Sequence, residues 1–334
     1  MAENVTITVD ALGGDDAPGV VLAGVEQALA ADPDLTVVLC GPAEVVGPFA
    51  DAHGRCEAQA TTESIAMDEH PANAVRRKKD SSIVVGCRLV KEGRADGFFS
   101  AGSTGACLAA ATLVMGRVKG VKRPALGQVL PAYGRPVLLL DVGANADCKA
   151  DYLLQFAQMG AVYAREIMGV PAPRVGLLNI GEEDAKGSVF AQEANALLRA
   201  ELPEFAGNAE GRDILAGSFD VVVTDGFTGN VCLKTIEGTS SVLFRYMKDA
   251  LMASAKGKLG ALLVKGDLAE LKGRLSPDTH GGAPLLGVRG ACVVGHGSSS
   301  AEAVKNGVLA TARTVRSHVS EVIAAAVAED GERA

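Results

Sequence analysis

The chain has 334 residues and a formal charge of −8, with 48% hydrophobic residues but only 4% aromatics, so any core must be aliphatic. The acid excess argues against nucleic acid as a partner. Seven dispersed cysteines without a CxxC pair read as reduced thiols rather than disulfides or a zinc site, and no apolar run is long enough to span a membrane.

Met1-Ala-Glu-Asn-Val5 has neither a basic nor an apolar leader, and the expected setting is the cytoplasm. Val5–Val9 reads as a first strand that ends at Asp10-Ala-Leu-Gly-Gly-Asp15, followed by a helix over Pro18–Ala30. Leu35–Leu39 is a second strand. Residues 43–70 are mixed, with Glu57–Ile65 the one candidate strand. A basic cluster, Arg76-Arg-Lys-Lys79, precedes Asp80-Ser-Ser82, the expected cap of a helix over Ile83–Glu92. Gly97–Ser100 is a strand running into Ala101-Gly-Ser-Thr-Gly105 and an alanine-rich helix to Met115.

Val137–Leu140 is a strand ending in Asp141-Val-Gly-Ala-Asn-Ala-Asp147, and Asp151–Met168 is a long helix. The apolar run Val175–Leu178 is short enough for a strand buried on both faces. It leads into Asn179-Ile-Gly-Glu-Glu-Asp-Ala-Lys-Gly187, then Ser188 as N-cap of a helix over Val189–Ala200. Phe219–Val223 ends in Thr224-Asp-Gly-Phe-Thr-Gly-Asn230, and Lys234–Leu251 is helical. Gly281–Gly287 reads as a loop, Ala291–Val294 as a short strand, and Gly295-His-Gly-Ser-Ser-Ser300 opens the last helices.

The repeated strand–loop–helix units predict a three-layer α/β/α fold with a mostly parallel sheet, one domain over residues 1–330, with or without two lobes. Six strand ends carry glycine with Ser, Thr, Asn or Asp before a helix. In a parallel sheet such ends line one edge and converge on one crevice, where backbone N–H groups favour anions. Ordinary turn chemistry explains any one of these loops equally well. There is no GxxxxGK[ST], GxGxxG or GxSxG, and the histidines are not spaced as metal ligands, so no metal and no cofactor is expected. His53 and His318 read as surface residues.

Seven blocks, in order, resemble one family: Asp10-Ala-Leu-Gly-Gly-Asp15, Lys79-Asp-Ser-Ser82, Ser100–Ala106, Leu140–Lys149, Leu178–Gly187, Thr224–Val231, and Gly281–Gly287 with His296-Gly-Ser-Ser299. The chain resembles the acyl-[acyl carrier protein]:phosphate acyltransferases of bacterial phospholipid synthesis over roughly Val5–Val308. Ser103 and Ser300 stand where that family usually has asparagine, and Leu12 where it has methionine. The resemblance implies a fold like that of the isocitrate and isopropylmalate dehydrogenases, and attack of inorganic phosphate on the thioester of acyl carrier protein. It favours Lys186 and Asn230 as catalytic residues. The loops supply Asp10, Gly13, Gly14, Asp15, Gly102, Ser103, Thr104, Gly105, Asn145, Asp225, His296, Gly297 and Ser298 as candidate phosphate- and substrate-binding positions.

Oriented, desolvated phosphate is already a competent nucleophile, so the site needs a positive charge and donors for the developing oxyanion rather than a covalent intermediate. Lys186 offers the charge and Asn230 an amide. Glu182, Glu183 and Asp184 would repel phosphate and are expected to point away or to orient Lys186. His296 has two readings, a donor to phosphate or to the leaving thiolate, and a structural side chain. Cys107 and Cys148 are expected to be inert.

The basic cluster reads either as a solvated helix face or as a dock for acidic acyl carrier protein. Residues 252–275 carry apolar side chains at helical spacing in two pieces split at Gly266-Asp267, interspersed with lysines. That tip fits a homodimer interface or peripheral contact with anionic lipid, which would suit hand-off to a membrane glycerol-3-phosphate acyltransferase. The competing readings are a phosphotransacetylase working on acyl-coenzyme A, a metal- and nicotinamide-dependent isopropylmalate-type dehydrogenase, and a non-catalytic scaffold.

Overall fold

The computed structural model describes residues 3–275 and 281–331. Eleven strands form one sheet: β1 (Val5–Asp10), β2 (Leu35–Gly41), β3 (Cys56–Ala60), β4 (Gly97–Ser100), β5 (Ala125–Leu130), β6 (Val137–Leu140), β7 (Val175–Leu178), β8 (Phe205–Ala209), β9 (Val221–Val223), β10 (Ala283–Leu286) and β11 (Ala291–Val294). Their order is β3-β2-β1-β4-β11-β10-β5-β6-β9-β7-β8. Seven of the ten pairings are parallel, and the three antiparallel ones all involve β10 or β5.

The helices are α1 (Gly19–Ala31), α2 (Ala43–Ala52), α3 (Pro71–Arg77), α4 (Ser82–Lys91), α5 (Thr104–Ala110), α6 (Ala150–Glu166), α7 (Val189–Glu201), α8 (Gly211–Ala216), α9 (Gly226–Met252), α10 (Ala255–Leu263), α11 (Lys265–Leu275), α12 (Ala301–Arg316) and α13 (Val319–Gly331). The helix begun by α5 ends in a π-helical turn over Ala111–Met115.

Strand alternation sorts the helices into two outer layers. In β1, Ile7 and Val9 pack with Val25 of α1 and Val304 of α12, while Thr8 turns the other way and its hydroxyl bonds Gly86 O of α4. In β6, Leu138 and Leu140 pack with Phe156 of α6, and Val137 and Leu139 with Leu233 of α9. Gly307 of α12 lies against the Phe99 ring so closely that no side chain would fit there, which seats the helix on the sheet.

The topology changes how the polar strand ends are grouped. The three antiparallel steps reverse the chain direction, so β3, β2, β1, β4 and β11 run one way and β6, β9, β7 and β8 the other. The six loops therefore form two sets of three rather than one row. Twist brings the sets back toward each other. Six steps separate β1 from β9, and about 20–25° per step turns the strand direction through about 120–150°, which offsets most of the reversal. Helices α5 and α9, one from each set, contribute Ala106, Cys107 and Leu233 to the same apolar cluster.

Other boundaries also differ from expectation. Glu57–Ile65 shortens to β3 at Cys56–Ala60, and residues 43–52 form α2. Gly281–Gly287 contains β10, whose pairing with β5 no local pattern announces. Strands β5 and β8 and helix α8 carry no clear period and were not expected. Ser81 occupies the N-cap of α4, but its hydroxyl turns back to Lys78 O, and Asp80 instead accepts from Thr62. Helix α9 starts eight residues before Lys234, because Asp225 caps it by accepting from Thr228 N at 2.8 Å. Asn230 is thus a helical residue.

Candidate active site

The first set joins the loops after β1, β4 and β11. Asp15 N donates to Gly297 O at 2.7 Å, Gly295 N to Ser100 O at 2.8 Å, and a side chain on Gly13 would strike the Ala101 and Gly102 amides. The structure thereby brings together Asp10, Gly13, Gly14, Asp15, Gly102, Ser103, Thr104, Gly105, His296, Gly297 and Ser298. Their exposure divides them. Thr104, Asp15, His296 and Ser298 are open to solvent, while Asp10, Gly13, Gly102 and Ser103 are buried. Ser103 caps α5 by accepting from Ala106 N.

Under this surface lies a polar relay. Ser100 Oγ donates to Asp10 Oδ2 at 2.7 Å and accepts from Gly102 N at 2.9 Å, and Asp10 Oδ1 accepts from Leu12 N at 3.0 Å. Burial pushes the Asp10 carboxyl above its ordinary value, only partly offset by the Ser82 and Ser100 hydroxyls and the Leu12 amide. His296 Nδ1 accepts from the Ser298 amide, a group that can only donate, so the neutral ring carries its proton on Nε2.

The second set joins the loops after β6, β7 and β9. Asp141 is fully buried and accepts from the amides of Leu126, Gly143, Ala144 and Asn145 and from Asn145 Nδ2, all within 3.1 Å. Burial raises its carboxyl, with the amides and Asn145 pulling it back. Asn145 also spends its side-chain amide on Pro124 O, and its carbonyl accepts Gly226 N at 2.7 Å, tying the loop to the start of α9. That approach is why Gly226 and Gly229 are glycine: a side chain on either would collide with Asp141 or Asn145. Asn145 and Asp225 are therefore occupied in holding the loops, whereas Asn230 is exposed, with its Nδ2 beside Gly143.

Lys186 stands on the loop after β7, the strand next to β9. Asn179 Nδ2 braces that loop through Lys186 O, and Gln192 Nε2 through Ala185 O and Gly187 O. Two of the three neighbouring acids are drawn away, Asp184 to Arg199 and Glu182 to Arg212, while Glu183 stays near the Lys186 stem: a side chain on Gly181 would meet both. Lys186 is exposed and makes no salt bridge among the described residues. Glu182, Glu210 and Asp213 bring carboxylate oxygens within 4.8 Å of one another, and Arg212 lies within 4.0 Å of all three as their shared partner. Burial holds the Cys107 and Cys148 thiols up at about 12, so both are neutral and unreactive.

Two residues escaped the sequence reading, Ser100 and Asp141. In the sequence Ser100 reads as the end of its strand, and Asp141 as the start of the loop that carries Asn145. An acid at a strand end directly before a glycine loop, shared by Asp10 and Asp141, is the signal that marks the latter.

A family model described as "Fatty acid synthesis protein" matches residues 5–322. A phosphate acyltransferase of Heliobacterium modesticaldum is 48% identical over 328 residues, covering 97% of this chain and 96% of that protein. One from Desulfitobacterium hafniense is 47% identical over 321 residues, covering 95% and 96%. The chain belongs to the phosphate acyltransferase family. As a phosphate acyltransferase it is a transferase of lipid synthesis, with acyl transfer to phosphate as its chemistry. Its fold is shared with the phosphotransacetylases of Streptococcus pyogenes (TM-score 0.60, 17% identity, 93% of this chain and 94% of that one) and Staphylococcus aureus (EutD; TM-score 0.58, 18% identity, 93% and 94%). Among the described residues no helix is long and apolar enough to cross a membrane.

Proposed function

We propose that the chain moves a fatty acyl group from acyl carrier protein to inorganic phosphate, supplying acyl phosphate for phospholipid synthesis. The observation that carries this reading is Lys186, exposed on the loop after β7, next to the strand β9 that leads into Asn230's helix, and without a salt bridge among the described residues, while Arg199 and Arg212 pair with Asp184 and Glu182. A free ammonium at a strand end suits a dianion. The first loop set, with the Thr104 hydroxyl, Ser298 and His296 at its surface, holds the phosphate. Asn230 donates to the carbonyl oxygen as charge develops on it.

A phosphate oxygen attacks the thioester carbon and forms the new C–O bond. The C–S bond breaks, and the proton of hydrogen phosphate ends on the carrier thiol, so no cofactor or covalent enzyme intermediate is required. His296, exposed and with the proton of its neutral ring on Nε2, hands a proton to the leaving thiolate in this reading. Donors aimed at the oxyanion are worth roughly 3–4 kcal/mol each.

The carrier docks on the ridge of Arg76, Arg77 and Lys79. All three are exposed at the end of α3, whose Pro71 touches Gly105 of the first loop set. The long helix α9 leads to α10 and α11, where Leu259, Leu262 and Leu263 are 61%, 69% and 77% exposed. Two copies of the chain pair along this arm, and its tip rests on anionic lipid beside the membrane acyltransferase that takes the product. The side chains of Lys272, Arg274 and Leu275, which belong to the same expected tip, lie outside the described residues. Leu262→Glu/Leu263→Glu should abolish vesicle co-sedimentation while light scattering still reports a dimer.

The decisive assay follows loss of acyl carrier protein thioester with and without phosphate, in the absence of metal and nucleotide. Phosphate-dependent loss supports the reading. Robust turnover of acetyl-coenzyme A with none of long-chain acyl carrier protein would move the chain's chemistry to that of a phosphotransacetylase.

A further inference from the structure

We propose that Asp10 is a positioning residue, which holds the 101–105 loop in its anion-binding shape through the Ser100 hydroxyl and never touches the anion itself. The inference rests on the phosphate-cradle reading of the first loop set. Asp10 is 2% exposed and Ser100 fully buried, so neither reaches a ligand at the surface. Both lie directly beneath the loop: a side chain on Gly102 would stand 3.1 Å from Ser100 Oγ and 3.2 Å from Asp10 Oδ2.

The polarity of the relay is fixed by proton counting. Ser100 has one hydroxyl proton, and the Gly102 amide occupies it as an acceptor, so that proton points to Asp10. The other carboxylate oxygen is held by the Leu12 amide. Only a group that accepts on both edges satisfies Ser100 and Leu12 together. An asparagine fails either way round. With its NH2 toward Leu12, two donors face each other. With its NH2 toward Ser100, the hydroxyl meets a second donor besides the Gly102 amide and loses the oxygen to which its proton points. Asp10 therefore ties the loop after β1 to the loop after β4, and the Gly102 amide is turned inward while Thr104 and Gly105 face out. The two-edged acceptor is the ionised carboxylate, and because burial raises the Asp10 value, acid undoes it sooner than it would an exposed acid.

The test compares Asp10→Asn, Ser100→Ala and the double variant in the full chain. Two readouts are used: Michaelis constants for phosphate and for the acyl donor, and the rise in unfolding temperature given by inorganic phosphate. Each single variant should raise the phosphate KM about tenfold or more, the scale of a lost charge-assisted hydrogen bond, and weaken phosphate protection alike, while the donor KM moves less than about twofold. The double variant should be no worse than the poorer single one, because both act through one relay. A phosphate KM that stays at the wild-type value, parallel rises in both constants, or fully additive losses would each overturn the proposal. Should Ser100→Ala fail to fold, Asp10→Asn decides alone. Wild-type protein that forms no acyl phosphate would sink the proposed function instead. Phosphate protection still reads the Asp10 relay in that case, and its survival in Asp10→Asn would sink this inference.

Discussion

The two loop sets are built from similar residues and do their work from opposite depths. In the first, around Asp10 and Ser100, a buried acid and a buried hydroxyl shape the backbone, and main chain, the Thr104 and Ser298 hydroxyls, the Asp15 carboxylate and the His296 ring reach the solvent. In the second, Asp141 plays the same buried part toward the amides of residues 143–145, but the exposed groups are two longer side chains, Lys186 and Asn230. A backbone cradle suits a small, symmetric anion that needs many donors at fixed positions. Side chains on a helix and a braced loop suit charge that appears only in the transition state. In the proposed reading the first set binds phosphate, and the second brings Asn230 to the thioester and Lys186 to the charge of the attacking dianion.

The largest expected effect probes the second set. Lys186→Ala and Asn230→Ala should each lower turnover by about 10²-fold or more with little change in unfolding temperature, since both side chains are exposed. Near-native turnover of Lys186→Ala would reduce its loop to a structural connection and erase the contrast. Next, Asp141→Ala should remove about 3 kcal/mol or more of stability, because it strands the buried Leu126 amide and unties the three loop amides and the Asn145 side chain together. Chemical denaturation measures this, and a loss under about 1 kcal/mol would mean that Asp141 does not anchor α9. His296→Ala should cost less than about tenfold in turnover, below the range of an obligatory general acid, because solvent can supply the thiolate's proton at this exposed position. A much greater loss would move His296 from the binding set to the chemical one.

The smallest effect is in pH. The raised Asp10 carboxyl favours its protonated form in the fold, so its contribution to stability is full below the ordinary carboxylate value and is lost as pH rises through the raised one. Asp32 is the opposite case. Partial burial acts to raise its value, but Arg316 and the Asp34 amide outweigh that and hold it low, so its contribution is present above the ordinary value and lost as pH falls. Unfolding temperatures of Asp10→Asn and Arg316→Met across the acid range should therefore diverge from wild type in opposite directions. Equal curves would show that neither carboxylate is perturbed as described.

Much of this was legible in the chain. Apolar runs such as Val137–Leu140 and Val175–Leu178 announced buried strands, and Ser188 caps α7 as its position before the helix suggested. The pairing of β10 with β5, one of the three antiparallel steps that together reverse the sheet, was not legible. Gly281-Gly-Ala-Pro-Leu-Leu-Gly287 reads as a loop locally and becomes a strand only when Ala125–Leu130 lies beside it. The division of the six loops into two sets followed from that pairing and was hidden with it. Candidate residues were found by chemical type, but type does not reveal depth. Asp10, Asn145 and Asp225 looked like ligands, and the structure engages their side chains in holding loops and a helix start.

The most direct test of the division of labour measures kcat and phosphate KM side by side for Asn230→Ala and Asp10→Asn. The account predicts that Asn230→Ala loses kcat with phosphate KM nearly unchanged, and that Asp10→Asn raises phosphate KM with the smaller loss in kcat. The same pattern in both variants would contradict it.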